Sequence, residues 1–298
     1  MTRTDLPVWR SLLYVPVNVP RFVAKAHERG ADAVQLDIED SVPAGEKAAA
    51  RKLIQEAAET VSQAGADVVV RINQPLRLAV PDIEACVSPR VQALALPKTE
   101  GPDHVRLLSE MVGELEEERG MAVGQTKFLA MIETAPAFFR MLDIASADPR
   151  VVAMSVGGED FALALGMQPD PETMLYPKQH GLIAARAAGV TPLGIIGTVA
   201  DYSDRDAYRH MVVKSARFGF EGASCIHPGL VEMLNEGFTP PPDQVDWAER
   251  VVAGWAVAEA EGRGSFELDG KMIDVPVVYR AERLLARYQA IQQRNAGG

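Results

Sequence analysis

Short runs of β-branched and other apolar residues alternate along the chain with longer stretches of helical character, the pattern of parallel strands joined by crossover helices. Eight such beats are present: residues 11–15, 33–38, 67–72, 91–96, 127–132, 151–156, 192–196 and 222–226 read as strands. Between them the spacing predicts helices over 45–64, 103–119, 136–146, 179–188 and 204–218, and Gly30, Gly65, Gly120, Gly189 and Gly219 fall where a helix would end. Eight strand–helix units fit a closed (β/α)8 TIM barrel, although an open doubly wound sheet has the same local pattern.

The polar residues separate the two. The strand ends read Asp37-Ile38-Glu39-Asp40, Arg71-Ile72-Asn73, Pro97-Lys98, Glu133-Thr134 and His227-Pro228, and the sixth strand runs into Gly157-Gly158-Glu159-Asp160. A barrel collects its chemistry at the C-terminal ends of many strands, whereas an open sheet gathers it at one crevice. The opposite strand ends are expected to be sparse in such residues. After His227 the beat stops: Pro240-Pro241-Pro242 precedes a helix over 244–261, a glycine-containing stretch over 262–274 and a last helix over 277–293. The expected organisation is a catalytic barrel over 1–238 and a C-terminal helical extension over 239–298 that packs on a neighbouring subunit.

Composition narrows the setting. Thirty basic against 41 acidic residues give a formal charge of −11, which repels a polyanion and argues against general nucleic-acid binding, while leaving room for one anionic ligand held locally. Two cysteines, Cys86 and Cys225, are too few for a disulfide framework and read as buried thiols in a reducing cytoplasm. No apolar stretch suits a membrane span, and residues 1–10 lack the apolar core of a signal peptide.

Glu133 and Asp160 end neighbouring strands, roughly 4.8 Å apart, so their carboxylates can meet on a hard cation that keeps waters or substrate oxygens in its shell, as Mg²⁺ does. Nitrogen or sulfur sites have no support, since His-x-x-x-His and Cys-x-x-Cys are absent. Taken singly, each carboxylate is as readily a solvated or salt-bridged residue. Asp37 and Glu39 share a strand face and crowd Asp40, a grouping that needs a counter-cation: Arg71 on the next strand, or a metal. Arg71 is then either the structural partner of Asp37 or a planar fork for a substrate carboxylate or enolate. Lys98 reads as an ordinary solvated lysine or a substrate contact, and His227 as a cap or a hydrogen-bonder. Gly157-Gly158 is too short to be a phosphate loop, and no G-x-S-x-G elbow is present.

As a set, Arg10-Ser-Leu-Leu-Tyr-Val-Pro16, Leu36-Asp-Ile-Glu-Asp-Ser-Val42, Val70-Arg-Ile-Asn73, Leu96-Pro-Lys98, Ile132-Glu-Thr134, Gly157-Gly-Glu-Asp-Phe161 and Cys225-Ile-His-Pro228 resemble the citrate lyase β-subunit-like family within the HpcH/HpaI aldolase superfamily. The resemblance implies a trimeric or hexameric (β/α)8 enzyme with a Mg²⁺ site, cleaving a 3-hydroxyacyl-CoA reversibly into a 2-oxo acid and an acyl-CoA. It puts Glu133 and Asp160 on the metal ligands, Arg71 on the substrate-contacting arginine, and Glu39 and Asp40 near the metal's waters; Lys98 and Gly158 join the substrate contacts. Gly264-Ser-Phe-Glu-Leu-Asp-Gly-Lys-Met-Ile-Asp-Val-Pro276 resembles the C-terminal segment of the malyl-CoA and citramalyl-CoA lyase branches. There, Asp274 falls on an aspartate that serves a neighbour's active site, and the citrate lyase subunit itself is expected to be shorter. Val15-Pro16-Val17 and Ile195-Ile196-Gly197 depart from the family pattern at strand ends. The rival readings are a malyl-CoA thioesterase, a lyase acting on a CoA-free 2-hydroxy acid, and a metabolite-binding protein without turnover.

Overall fold

The computed structural model describes residues 6–197 and 204–297; residues 1–5 of the N-terminal stretch lie outside them. Parallel strands carry apolar side chains on both faces, because helices cover one face and the barrel interior the other. Eight segments meet that demand: β1 Ser11–Pro16, β2 Ala33–Asp37, β3 Asp67–Arg71, β4 Ala93–Leu96, β5 Lys127–Ile132, β6 Val151–Val156, β7 Thr191–Leu193 and β8 Ala223–Cys225. They follow the order β7-β6-β5-β4-β3-β2-β1-β8, and a parallel bridge from Leu193 to Gly222 joins the two ends of that row. The sheet is a nearly closed (β/α)8 barrel, as the beat of the sequence predicts.

Period-two alternation divides each strand. Val34, Leu36, Val68, Val70, Phe128 and Ile132 belong to the core shared with the helices. Leu12, Ala33, Val69, Ala93 and Leu129 belong to a second cluster that includes Trp9, and these fill the barrel interior. Counting on in steps of two from the interior set reaches Tyr14 on β1, Asp37 on β2, Arg71 on β3 and Glu133 just past β5. The alternation that packs the interior therefore also delivers polar groups to its mouth.

The opposite strand ends are not sparse in charge, contrary to expectation. Arg10 pairs with Asp32 at 2.8 Å and Arg150 with Glu116 at 2.7 Å, all buried, and Trp9 Nε1 donates to Asp67 Oδ2 at 2.6 Å. None of these residues lines the main cavity. They fasten neighbouring elements, and sequence alone does not distinguish such pairs from catalytic charges.

Several helices depart from the sequence reading. The stretch read as one helix over 45–64 is broken into Lys47–Arg51 and Ile54–Val61, and that over 136–146 into Ala135–Phe138 and Met141–Ala145. Four further helices among the described residues lie outside that reading: Pro20–Ala26, Leu76–Cys86, Gly158–Leu165 and Val231–Gly237. Leu76–Cys86 contains Pro81, which removes one helical hydrogen bond and masks the pattern.

The chain divides into two compact units, Met1–Phe238 and Thr239–Gly298. In the second, helices Pro242–Ala260 and Val275–Gly297 share a small core of Ala248, Val251, Ile273, Val278 and Ala281. The glycine-containing stretch between them is an antiparallel hairpin, β9 Phe266–Leu268 and β10 Lys271–Ile273. Its two-residue turn places Asp269 at φ 51° and Gly270 at φ 72°, the positive-φ pair such hairpins require. Asp274 follows β10 and is half-buried; its carbonyl accepts the amides of Val277 and Val278, opening the last helix.

Candidate active site

The mouth of the barrel opens into a cavity of about 1060 Å³ lined by Tyr14, Asp37, Asp40, Arg71, Glu133, Gly158 and Asp160 among others. Register sets its central ion pair. Asp37 lies beside Arg71 across the β2–β3 ladder, and the guanidinium grips it twice, Nε to Oδ1 and Nη2 to Oδ2, both at 2.8 Å. Arg71 Nη1 turns to Glu39 Oε2 at 3.0 Å and Asp40 Oδ2 at 3.7 Å, and the guanidinium sits 4.9 Å from the Tyr14 ring centre. Of the two sequence alternatives for Arg71, the geometry shows the structural one: its fork is engaged by Asp37, and its Nη1 meets Glu39 and Asp40.

That loop is held from behind. Asp37 accepts the amides of Glu39 and Ser41 at 3.0 and 3.2 Å, Lys47 Nζ donates to the carbonyls of Ile38 and Glu39, and Asn73 Nδ2 donates to the Ile38 carbonyl. Burial alone would raise the Asp37 carboxyl, but the Arg71 hydrogen bonds and charge outweigh it and hold the group below its ordinary range. For Glu39, burial wins over Arg71 and Lys98, and its carboxyl is raised.

Lys98, read from sequence as solvated unless it meets substrate, is engaged by the chain itself. Its Nζ reaches Glu39 Oε1 at 2.6 Å, Asp160 Oδ1 at 3.5 Å and Asp40 Oδ2 at 3.7 Å. Its amide donates to Glu133 Oε2 at 2.7 Å, and its backbone adopts φ 48°, uncommon for a residue with a side chain. One residue thereby ties the β4 end to three acidic elements.

Glu133 and Asp160 line the same cavity, and the Asp160 charge acts on the Glu133 carboxyl. Thr134, next to Glu133, caps the following short helix by accepting the Ala137 amide at 3.3 Å. Asp160 lies in the first turn of Gly158–Leu165, where the helix dipole favours an anion. Gly157 makes the room: a Cβ there would stand 2.6 Å from Glu133 Cγ and 2.7 Å from its Oε1. Glu133 is 3% exposed, and burial, reinforced by the charges of Asp160 and Glu39, pushes its carboxyl up to about 7. His227 is exposed at the cavity rim and accepts the Gly229 amide at Nδ1, 3.0 Å, a capping contact.

Five carboxylates, Asp37, Glu39, Asp40, Glu133 and Asp160, therefore face two cations, Arg71 and Lys98. Among the described residues no three His, Cys, Asp or Glu side chains form a full metal cage. Two carboxylates with excess negative charge suit a hard divalent cation that takes its other ligands from water and substrate. A pH dependence follows for protein stripped of divalent cations. The folded state keeps the Glu133 proton up to about 7, while the unfolded chain releases it near 4.5. The folded state thus binds more protons between those values, so stability should fall by about 3 kcal/mol as pH rises through the interval. Denaturant titrations at pH 5 and 8 check this, with Glu133→Gln expected to flatten the difference. Divalent-cation affinity should rise over the same interval, since the carboxylate is the ligand.

Sequence reasoning missed the cavity's outer lining. Arg21, Lys25 and Arg29 lie at four-residue intervals along Pro20–Ala26 and the 3-10 turn His27–Arg29, and all three line the cavity with Phe22. The Arg21 guanidinium stacks 4.8 Å from the Phe22 ring centre. The four-residue spacing was readable; a helix too short to show a period hid it. Lys178, also unremarked, lines the cavity from helix Leu175–Ala188.

A family model described as HpcH/HpaI aldolase/citrate lyase matches residues 10–228. A citrate lyase subunit β of Leuconostoc mesenteroides subsp. cremoris is 33% identical over 282 residues, covering 93% of this chain and 92% of that protein. A (3S)-malyl-CoA thioesterase of Cereibacter sphaeroides is 31% identical over 286 residues, covering 95% of each. Among solved structures, the protein CitE from Mycobacterium tuberculosis in complex with magnesium, acetoacetate and coenzyme A superposes with a TM-score of 0.73 at 28% identity, covering 96% of this chain and 99% of that one. The expectation of a shorter citrate lyase subunit has a mixed outcome: the Leuconostoc subunit aligns over 93% of this chain, whereas a solved citrate lyase beta subunit from M. tuberculosis, 26% identical, with a TM-score of 0.63, covers 78% of this chain with 98% of its own.

Proposed function

The chain belongs to the HpcH/HpaI aldolase/citrate lyase family and is an enzyme of that family, and on this premise we propose a Mg²⁺-dependent lyase that cleaves or forms a 3-hydroxyacyl-CoA such as malyl-CoA or citramalyl-CoA. The products are a 2-oxo acid, glyoxylate or pyruvate, and an acyl-CoA. One observation carries the reading: a single cavity is lined by the Glu133–Asp160 pair and by the Arg21, Lys25, Arg29 and Phe22 set. The pair suits a hard cation; three cations beside an exposed ring suit a ligand with phosphates and a base. Magnesium complexes of a solved relative support the cation.

Glu133 and Asp160 would hold magnesium, which would supply Lewis acidity to a hydroxyl beside a carboxylate. Glu39 and Asp40 hold the waters through which the hydroxyl proton leaves. The carbon–carbon bond to the acyl α-carbon then breaks, its electron pair passing into a thioester enolate as the oxo group forms. Arg71 Nη1 stabilises the enolate oxygen by a charge-assisted hydrogen bond, while Lys98 and Gly158 position the acid. Asp274 of a neighbouring copy, in a homotrimer or hexamer, protonates the enolate carbon. Free, buried Cys86 and Cys225 suit a reducing cytoplasm, and no helix among the described residues is long and apolar enough to cross a membrane.

The test is incubation with Mg²⁺ and a panel of 3-hydroxyacyl-CoAs and CoA-free 2-hydroxy acids, following oxo acid and thioester together. Oxo acid with an intact acyl-CoA supports the lyase. Free CoA with intact hydroxy acid overturns it in favour of the thioesterase reading, which the Cereibacter relative favours; binding without turnover overturns both. Alanine at Arg21, Lys25 and Arg29 together should raise KM for the CoA ester roughly ten-fold or more with kcat little changed, the signature of lost uniform binding.

A further inference from the structure

Among the described residues lining the cavity, two cations are buried, Arg71 and Lys178. Arg71 is engaged by Asp37 and Glu39. Lys178 is 5% exposed and, among the described residues, forms no ion pair. It lines the same cavity as Val156, Gly158 and Glu159; the Glu159 charge acts on it, yet burial pushes the amine down to about 8. A buried ammonium without a partner is costly, and chains keep such groups where a ligand completes them. The same cavity is lined by Gly158 and by Asp160, which lies in the first turn of the Gly158–Leu165 helix.

We infer that Lys178 is a specificity-determining residue that takes the carboxylate of a small organic acid bound in the cavity, through a charge-assisted hydrogen bond. The identity of that acid rests on the proposed lyase reading, where it is the 2-oxo acid and the matching end of the hydroxyacyl substrate. The carboxylate preference itself does not rest on that reading.

The experiment uses the full chain with Mg²⁺ and four probes, glyoxylate, pyruvate, acetate and the neutral pyruvamide, titrated calorimetrically into wild type, Lys178→Met and Lys178→Arg. Wild type should bind at least one of the acids and prefer pyruvate to pyruvamide. Lys178→Met should weaken acid binding roughly ten-fold or more while leaving the amide unchanged, and Lys178→Arg should recover most of the loss. The Tm of Lys178→Met should equal or exceed that of wild type, because an unpaired buried charge has been removed. Where turnover is present, KM for the oxo acid in the condensing direction should rise with KM for the acyl-CoA unchanged. Unaltered acid binding in Lys178→Met, equal binding of acid and amide, or no acid binding by wild type overturns the inference. Turnover that ignores Lys178 sinks this inference and keeps the lyase; Lys178-dependent acid binding without turnover does the reverse.

Discussion

Glu133→Gln should lower metal-dependent turnover by on the order of a thousand-fold without unfolding the protein. Glutamine keeps the shape and can still accept the Lys98 amide, so the change is one of charge alone. The carboxylate at this position is 3% exposed and already resists ionisation. Neutralising it removes a buried, self-repelling charge, and the Tm should hold or rise while divalent-cation binding is lost. Calorimetric titration of Mg²⁺ beside a thermal melt separates the two effects. Retained turnover at saturating Mg²⁺ would remove Glu133 from the metal site. Gly157→Ala should reach a similar phenotype by another route, since its Cβ would collide with Cγ and Oε1 of Glu133 and displace the carboxylate.

Arg71→Ala should be the opposite kind of lesion, costing about 3–5 kcal/mol of stability as well as activity. The substitution strands Asp37 and Glu39, 2% and 6% exposed, with no guanidinium between them. Lysine should not rescue it, because a point charge cannot make the two parallel bonds to Asp37 that span the β2–β3 ladder. Urea unfolding of Arg71→Ala, Arg71→Lys and the double variant with Asp37→Asn gives the coupling directly. If the single variant unfolds with the wild-type midpoint, the pair is not holding the strands.

The contrast explains what the sequence discloses. Eight strands were readable because a parallel barrel strand is apolar on both faces, and Asp37, Arg71 and Glu133 were readable because each continues an inward-facing series beyond the last apolar position. What stayed hidden depends on partners distant in sequence. The Arg10–Asp32 and Arg150–Glu116 pairs look like catalytic charge until their burial away from the cavity is seen. Lys178, beside Pro177 and at a helical position, resembles a surface lysine, and it is buried only because that helix packs on β6, β7 and a neighbouring helix. Helix Pro20–Ala26 is too short for periodicity to register. Asp269-Gly270 between apolar residues is a two-residue hairpin signal, and it is legible in the sequence itself.

The joining of strand register to chemistry at Asp37 and Arg71 also bears on how this enzyme can change. A substitution at the acidic end disturbs folding and reaction together, so mutations there are removed before any new activity is tested. The surface turn carrying Arg21, Lys25 and Arg29 has no such coupling, since these side chains are exposed at the rim. Laboratory evolution toward a substrate with a different carrier group should therefore accumulate its successful mutations around Pro20–Arg29 while the residues from Asp37 to Asp40 stay fixed. Adaptation proceeds at the doorway, and the hearth is inherited unchanged.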